Sequence, residues 1–96
     1  MSEQVIPTAT DRENKIKRLR FRSWHRGTRE MDLIMGSFAD ANLDALSDEE
    51  LESYEEVLSY SDPDLYNWVT GKEEVPANLR SSTLDKLIDH EYKAIT

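Results

Sequence analysis

Cysteine is absent from this chain of 96 residues, which excludes a disulfide framework, thiol chemistry and any metal site built on cysteine. No apolar run is longer than the three residues Leu33, Ile34 and Met35, so no segment is expected to span a membrane. The first ten residues show neither the apolar core of a signal peptide nor the Arg- and Ser-rich pattern of a transit peptide. The length suits one domain with a single modest core, and we expect a cytoplasmic protein.

Basic residues are missing from the middle of the chain, where none occurs between Ala41 and Gly71. Eight of the twelve Lys and Arg residues lie between Arg12 and Arg29, in a chain of net charge −8. This separation of charge favours an oriented encounter with a partner that carries its own charged patches. The alternative is a small helical nucleic-acid-binding protein that uses the basic first helix, with steeply salt-dependent affinity. We favour a protein partner, because a nucleic-acid footprint is not normally set against so acidic a remainder.

An enzyme or a metal protein has little support in the sequence. The two histidines, His25 and His90, are far apart, and neither belongs to a metal-binding spacing such as His-Glu-x-x-His. We expect His25 to interact with the C-terminal end of the first helix and His90 to lie at the surface. The acidic run from Asp48 to Glu56 is interpreted as the solvated face of a helix. No nucleophile has a plausible adjacent base, so we predict no catalytic residue, no bound metal and no enzymatic activity.

Apolar residues recur with helical spacing in five segments, and no segment alternates with the period of a strand. The sequence therefore predicts an all-α fold, a compact five-helix bundle in a single domain over residues 10–96, preceded by a flexible tail over residues 1–9. A connection is expected over residues 39–46, a polar loop over residues 72–76, and a fifth helix that ends near residue 93. The predicted capping or first residues of the helices are Thr10, Thr28, Ser47, Asp62 and about Asn78. The predicted core residues are Leu19, Met31, Ile34, Phe38, Leu51, Leu58, Trp68, Leu84 and Leu87.

The run Arg26-Gly27-Thr28-Arg29-Glu30 lies where the first helix is predicted to stop and the second to start. Gly27 suits the left-handed C′ position of a helix end, and Thr28 can cap the second helix. One interpretation, the commoner for such a run, is a Gly stop followed by an intrahelical pair between Arg26 and Glu30. The other is a recognition surface, in which Gly27 lets a partner backbone approach closely while the two charges fix its position.

The segment from Asp62 to Trp68, with the sequence Asp-Pro-Asp-Leu-Tyr-Asn-Trp, is the second dense segment. Its Asp-Pro start suits an N-cap followed by Pro at N1, and its Leu and Trp suit the core. Tyr66 and Asn67 fall off the apolar stripe, which makes them candidates for a partner surface. Trp24 lies beside the buried stripe of the first helix, as Phe21 does, and suits either a core anchor or a partner contact.

Taken together and in this order, three stretches of the chain closely resemble one known family. The stretches are Ser23–Leu33, Leu46–Glu50 and Asp62–Trp68. They resemble the succinate dehydrogenase flavinylation factor family, which includes bacterial SdhE and its mitochondrial assembly-factor relatives. The match runs from about residue 16 to residue 76. The resemblance implies a helical bundle that binds the flavoprotein subunit of succinate dehydrogenase, and in some bacteria that of fumarate reductase. It further implies that the chain promotes covalent attachment of FAD to a histidine of that subunit.

The resemblance also implies which residues bind the client. Arg26, Gly27 and Glu30 correspond to the family's functional triplet, and we expect the Arg26→Ala and Glu30→Ala substitutions to leave the fold nearly intact. Neighbouring candidates for client binding are Trp24, Arg29, Tyr66 and Asn67. His25 departs from a pattern in which a second Arg often precedes Arg-Gly. We expect a bacterial, monomeric protein that holds no cofactor stably, because FAD is attached to the client, and that neither binds nucleic acid nor inserts into a membrane.

Overall fold

Residues 11–90 are described by the computed structural model, and within them the chain forms helices and turns without a strand. The α-helices are α1 Asp11–Trp24, α2 Arg29–Asn42, α3 Asp48–Val57, α4 Asp62–Val69 and α5 Ser82–Asp89. Two 3-10 helices, Leu43–Ala45 and Ala77–Leu79, lie between α2 and α3 and between α4 and α5. The predicted all-α, five-helix, single-domain fold is confirmed. Thr10 and the predicted tail over residues 1–9 lie outside the described residues.

The core is one continuous cluster to which all five helices contribute. Every predicted core residue is buried, and α1 packs chiefly along α2 while α5 packs against α3. Tyr54 lies at the centre of the cluster, and its hydroxyl is 2.6 Å from the buried Ser23 Oγ, which donates to the Leu19 carbonyl. Burial raises the pKa of Tyr54 to about 12, because the charged phenolate is disfavoured in the core. The hydroxyl pair satisfies its own polar groups inside an otherwise apolar core.

Two predicted helix boundaries are wrong. The predicted connection over residues 39–46 is shorter, because α2 continues to Asn42 and buries Ala39 completely. The fifth helix begins at Ser82 rather than near Asn78, because Arg80 takes an extended conformation with φ −68° and ψ 142° after the 3-10 turn. Ser81 then caps α5 by accepting a hydrogen bond from the Leu84 amide. The predicted end of this helix near residue 93 lies outside the described residues.

The first turn of α4 also differs from the prediction. Ser61, and not Asp62, is the N-cap, since its Oγ accepts a hydrogen bond of 3.2 Å from the Asp64 amide. Asp62 is therefore the first residue of the helix, with Pro63 second. The prediction of Asp62 as the cap is wrong because a serine just before it takes that role. The Asp62 carboxylate is left available for another partner.

Gly36, in the middle of α2, lies directly beneath the indole ring of Trp24. A Cβ atom built on Gly36 would overlap three atoms of that ring. The Trp24 side chain is half-buried, and its Nε1 donates a hydrogen bond of 3.3 Å to Asp40. Trp24 is thus packed against α2 through a glycine that the sequence analysis did not single out.

We expect Gly36→Ala to destabilise the protein by about 1 kcal/mol or more, because overpacking typically costs about 1–3 kcal/mol. This cost outweighs the higher helix propensity of alanine, which stabilises a helix by about 1 kcal/mol relative to glycine. The melting temperature should fall by about 4–8 °C per kcal/mol. Trp24→Ala supplies the control, since in that background the overlapping ring is gone and Gly36→Ala should be neutral or stabilising. An equal loss of stability in both backgrounds would contradict the proposed clash.

Candidate functional site

The turn between α1 and α2 presents Gly27 at the surface. Gly27 has φ +123°, and no atom lies within 4 Å of the position where its Cβ would be. The predicted positive φ is confirmed, but Gly27 is not the C′ residue, because α1 ends three residues earlier at Trp24. Thr28 caps α2 as predicted, with its Oγ1 accepting a hydrogen bond of 3.2 Å from the Met31 amide. Gly27 therefore lies in the middle of a short turn, with open space around it.

Arg26 turns away from this surface and into the protein. Its Nε donates to Asp62 Oδ1 at 2.9 Å, its Nη1 to the Leu58 carbonyl at 2.6 Å and its Nη2 to the Tyr60 carbonyl at 2.8 Å. The Nη2 atom also lies 2.7 Å from Asp62 Oδ1, which completes an ion pair. We call this arrangement the Arg26 clasp. The Arg26 side chain is only 12% exposed and that of Asp62 26%.

The clasp corrects both sequence interpretations of Arg26. The intrahelical pair with Glu30 does not form, since the guanidinium is bound to Asp62, 36 residues away. The surface position expected for Arg26 is wrong, because its side chain is largely buried and joins the α1–α2 turn to the turn between α3 and α4. In place of a fold left nearly intact, we now predict that Arg26→Ala destabilises the protein. The backbone amide of Arg26 is held as well, by donating to the Asp32 carboxylate.

Glu30 and Arg29 differ from Arg26 in their exposure and in their contacts. Both are exposed in the first turn of α2, and within residues 11–90 neither side chain makes a hydrogen bond or an ion pair. The negative charge of Glu30 at a helix N-terminus is favourable, and among the described residues the carboxylate has no partner that binding would displace. Gly27, Arg29 and Glu30 thus form an exposed and chemically available group, which we call the Gly27 surface.

The outer face of α1 continues from this surface. Phe21 is 63% exposed and stacks on His25, with ring centroids 3.9 Å apart. The predicted position of Phe21 beside the buried stripe is wrong, because a separation of two residues in a helix turns its side chain about 200° away from Leu19 and Ser23. The His25 Nδ1 lies 2.7 Å from the Phe21 carbonyl, so the predicted interaction of His25 with the end of α1 is confirmed.

Most of the basic cluster between Arg12 and Arg29 is neutralised within the protein. Five of its eight cations, Arg12, Lys15, Arg20, Arg22 and Arg26, form ion pairs with acids of other segments. Lys17, Arg18 and Arg29 have no such partner within residues 11–90. Lys17 and Arg18 lie one helical turn before Phe21, so these free cations flank the exposed aromatic pair.

The remaining site candidates lie elsewhere in the fold. Tyr66 and Asn67 are half-buried in α4, and the Asn67 carbonyl accepts hydrogen bonds from the amides of Lys72 and Glu73. The Lys72 ammonium lies 5.3 Å from the centroid of the Tyr66 ring. In the described part of the chain, no hydrogen bond connects Tyr66 or Asn67 to the Gly27 surface, and their place in the client-binding surface stays a prediction.

His90 is not the surface residue that was expected. It is half-buried, its Nε2 lies 3.1 Å from Ser37 Oγ, and its ring meets the edge of Phe38 with centroids 5.6 Å apart. It ties the end of α5 to the middle of α2. No sequence pattern near His90 predicts this contact, because its hydrogen-bond partner Ser37 lies 53 residues away.

A cavity of about 530 Å³ lies between α4, the loop after it and α5, with Trp68, Val75 and Ile88 among its lining residues. Its rim carries Glu73, Glu74, Asp85, Asp89 and Arg80. Across the described range, no three His, Cys, Asp or Glu side chains are grouped as a metal site would need. None of the helices of this range is long and apolar enough to cross a bilayer.

Comparison with known proteins identifies similar chains. A family model described as the flavinator of succinate dehydrogenase matches residues 17–91. The mitochondrial succinate dehydrogenase assembly factor 2 of Dictyostelium discoideum is 40% identical over 77 residues, which are 80% of this chain and 54% of the relative. The FAD assembly factor SdhE of Acetobacter pasteurianus is 37% identical over 73 residues, or 76% of this chain and 67% of the relative.

A third relative extends the match over nearly the whole chain. The mitochondrial succinate dehydrogenase assembly factor 2 of Meyerozyma guilliermondii is 35% identical over residues that make up 93% of this chain and 68% of the relative. The chain thus spans about half the length of the Dictyostelium relative and about two thirds of the other two. Relatives with mitochondrial and with bacterial names both occur, so the bacterial and cytoplasmic assignment stays a prediction.

Proposed function

Because the chain belongs to the family described as the flavinator of succinate dehydrogenase, we propose that it binds the flavoprotein subunit of that enzyme and promotes covalent attachment of FAD to it. The related flavoprotein of fumarate reductase is a second client where a cell makes one. The factor acts as a monomer and does not hold FAD stably. The names of its relatives, an assembly factor of succinate dehydrogenase and an FAD assembly factor, support this proposal.

The observation that carries the proposal is the exposed Gly27 surface beside the outer face of α1. Gly27 offers backbone without a side chain, so a client backbone can approach closely. Glu30 and Arg29 offer charges of both signs that are not engaged within the described residues. Phe21 offers an exposed apolar side chain one helical turn after the cations Lys17 and Arg18, which suits a client surface that has an apolar pocket beside acids.

The mechanism that fits such a surface is positioning rather than chemistry supplied by the factor. Covalent flavin attachment requires the client's histidine and the bound FAD to be held in a reactive arrangement, which is a matter of orientation and preorganisation. A bound factor favours that arrangement if the apo-flavoprotein samples it only rarely by itself. The group that forms the bond belongs to the client, and the factor contributes binding energy.

The nucleic-acid alternative is less well supported by the same side chains. A duplex-binding protein typically uses about 6–10 cations against phosphates. Here most of the basic cluster is already paired with Asp48, Glu55, Asp40 and Asp62, and only three of its members are free within residues 11–90. If the paired cations bound phosphate instead, their acidic partners would be left as unpaired negative charges on the same surface.

Glu30→Ala tests the proposed surface, with Glu49→Ala as the matched control. Both glutamates are exposed in the first turn of a helix, and neither has an ion pair in the described part of the chain. We expect Glu30→Ala to weaken affinity for the apo-flavoprotein by about 30-fold, the effect of losing an interface anchor worth about 2 kcal/mol, while both variants melt within a few degrees of wild type.

The measurements are a binding titration against apo-flavoprotein and the fluorescence of flavin that stays attached after the flavoprotein is denatured. Wild type should raise the amount of covalently attached flavin, Glu49→Ala should match it, and Glu30→Ala should not. A wild-type chain that neither binds the apo-flavoprotein nor raises covalent flavin would overturn the proposed function. Equal effects of Glu30→Ala and Glu49→Ala would remove Glu30 from the proposed surface.

A further inference from the structure

The turn that carries the Gly27 surface has few restraints of its own. No atom lies within 4 Å of the position that a Cβ of Gly27 would take, and glycine adopts a positive φ without help from a neighbouring group. Contacts at Gly27 itself therefore do not fix the turn. On the C-terminal side the turn is held by the Thr28 cap of α2. On the N-terminal side it is held by Arg26, whose amide donates to Asp32 and whose guanidinium enters the clasp.

Asp62 is the only carboxylate in the clasp, and it has no competing task. Ser61 supplies the N-cap of α4, so the Asp62 carboxylate is not needed to satisfy the helix amides. Its position in the first turn of α4 favours the negative charge and suits it to receive a guanidinium. The other acceptors of Arg26 are the Leu58 and Tyr60 carbonyls, which lie where α3 ends.

The clasp therefore fixes the position of the α1–α2 turn relative to the α3–α4 turn. A guanidinium that donates to a carboxylate and to two carbonyls in different directions is fixed in both position and orientation. Without the charge of Asp62, only neutral oxygens would remain as acceptors, and they restrain a charged guanidinium less firmly. The residue just before Gly27 would then be held less firmly, and the client would have to order it on binding.

On these grounds, and resting on the proposed function, we propose that Asp62 is a positioning residue that acts through Arg26. It holds the Gly27 surface in the conformation that the client binds, without touching the client. This gives the acid at the start of α4 a role at a surface formed by residues 27–30.

Asp62→Asn tests this role, with Asp64→Asn as the matched control. Asp64 lies two residues further along the same helix, is exposed, and has no ion pair within residues 11–90. We expect Asp62→Asn to weaken binding to the apo-flavoprotein by about tenfold, the effect of an ordering cost moved to the binding step, and Asp64→Asn by less than about twofold. Amide hydrogen exchange over residues 27–30 should quicken in Asp62→Asn alone.

Two further variants separate positioning from general loss of stability and from direct contact. Leu87→Ala removes a buried side chain of α5 and should lower the melting temperature at least as much as Asp62→Asn, yet keep wild-type affinity below its melting range. In the Arg26→Ala background, Asp62→Asn should cause no further loss of affinity, because its route to the surface is already gone.

Each contrary outcome has a distinct meaning. A loss of affinity in Leu87→Ala as large as in Asp62→Asn would reduce Asp62 to a merely structural residue. A further tenfold loss from Asp62→Asn in the Arg26→Ala background would show that Asp62 contacts the client itself. Unchanged exchange over residues 27–30 would show that the clasp does not order the turn. Failure of the wild-type chain to bind the apo-flavoprotein would instead overturn the proposed function, and the exchange result would still decide whether Asp62 orders the turn.

Discussion

Gly27→Arg should weaken binding to the apo-flavoprotein by about 30-fold or more, whereas Gly27→Ala should weaken it far less. Both substitutions place a Cβ on a residue with φ +123°, which costs about 1 kcal/mol in either case. Neither Cβ meets another atom, since the space around Gly27 is open. The stabilities of the two variants should therefore fall by similar amounts, about 4–8 °C in melting temperature. A long charged side chain at the point of closest client approach would block docking, which one methyl group would not.

Paired thermal melts and binding titrations against the apo-flavoprotein measure this difference. The two melts control for the backbone cost, so any remaining difference in affinity reports on the space that the client occupies. A domain of this size typically has about 5 kcal/mol or more of stability, so most molecules of both variants remain folded at 25 °C. Equal losses of affinity would mean that Gly27 serves the turn and not the interface.

The parts of the fold that the sequence predicts are those decided within one or two helical turns. Ser47 is the cap of α3 as predicted, and it forms a capping box with Glu50, which lies three residues further along the chain. Gly71 ends α4 with φ +80°, as its position after the last apolar residue indicates. The core residues follow from the helical period alone. Each of these features has its physical cause in the neighbouring sequence.

The features that the sequence analysis missed depend on pairs of residues distant in the chain. Trp24 lies on Gly36, and only the fold shows that a glycine is needed there for space rather than for a turn. The choice between Ser61 and Asp62 as the cap of α4 is similar, since both types cap helices well. Asp62 binds a guanidinium from 36 residues away, and no local pattern distinguishes it from the many other acids of the chain.

The candidate site also contains features that local sequence decides and one that depends on distant residues. That Gly27 and Glu30 are exposed follows from a local motif, a positive-φ glycine and an acid in the first turn of a helix, and the structure has both. The direction in which the Arg26 side chain points could not be derived, because a motif specifies neighbours in sequence and not the carbonyls of Leu58 and Tyr60. In this motif, Arg26 holds two turns of the protein together, whereas Gly27 and Glu30 are exposed and available to a partner.

Because the Arg26 side chain joins two turns of the protein, we expect a second large effect, a loss of stability, from the Arg26→Ala substitution. The substitution removes three hydrogen bonds and the ion pair with Asp62, and it leaves the half-buried Asp62 carboxylate and two turn carbonyls without their donor. Leaving such acceptors unsatisfied costs about 1–3 kcal/mol, and breaking a fully buried ion pair costs about 3–5 kcal/mol. Because the Arg26 and Asp62 side chains are 12% and 26% exposed, water can replace part of the loss. We therefore expect a destabilisation of about 2–3 kcal/mol.

Thermal and urea unfolding of Arg26→Ala and Glu30→Ala side by side test this difference. The melting temperature of Arg26→Ala should fall by about 10–20 °C, while that of Glu30→Ala should change by no more than a few degrees, since Glu30 has no partner to lose within residues 11–90. Arg26→Lys should recover only part of the loss, because an ammonium cannot reach a carboxylate and two carbonyls with the fixed geometry of a guanidinium. If Arg26→Ala melts like wild type, the guanidinium does not hold the two turns together, and Arg26 returns to the surface role that its motif suggested.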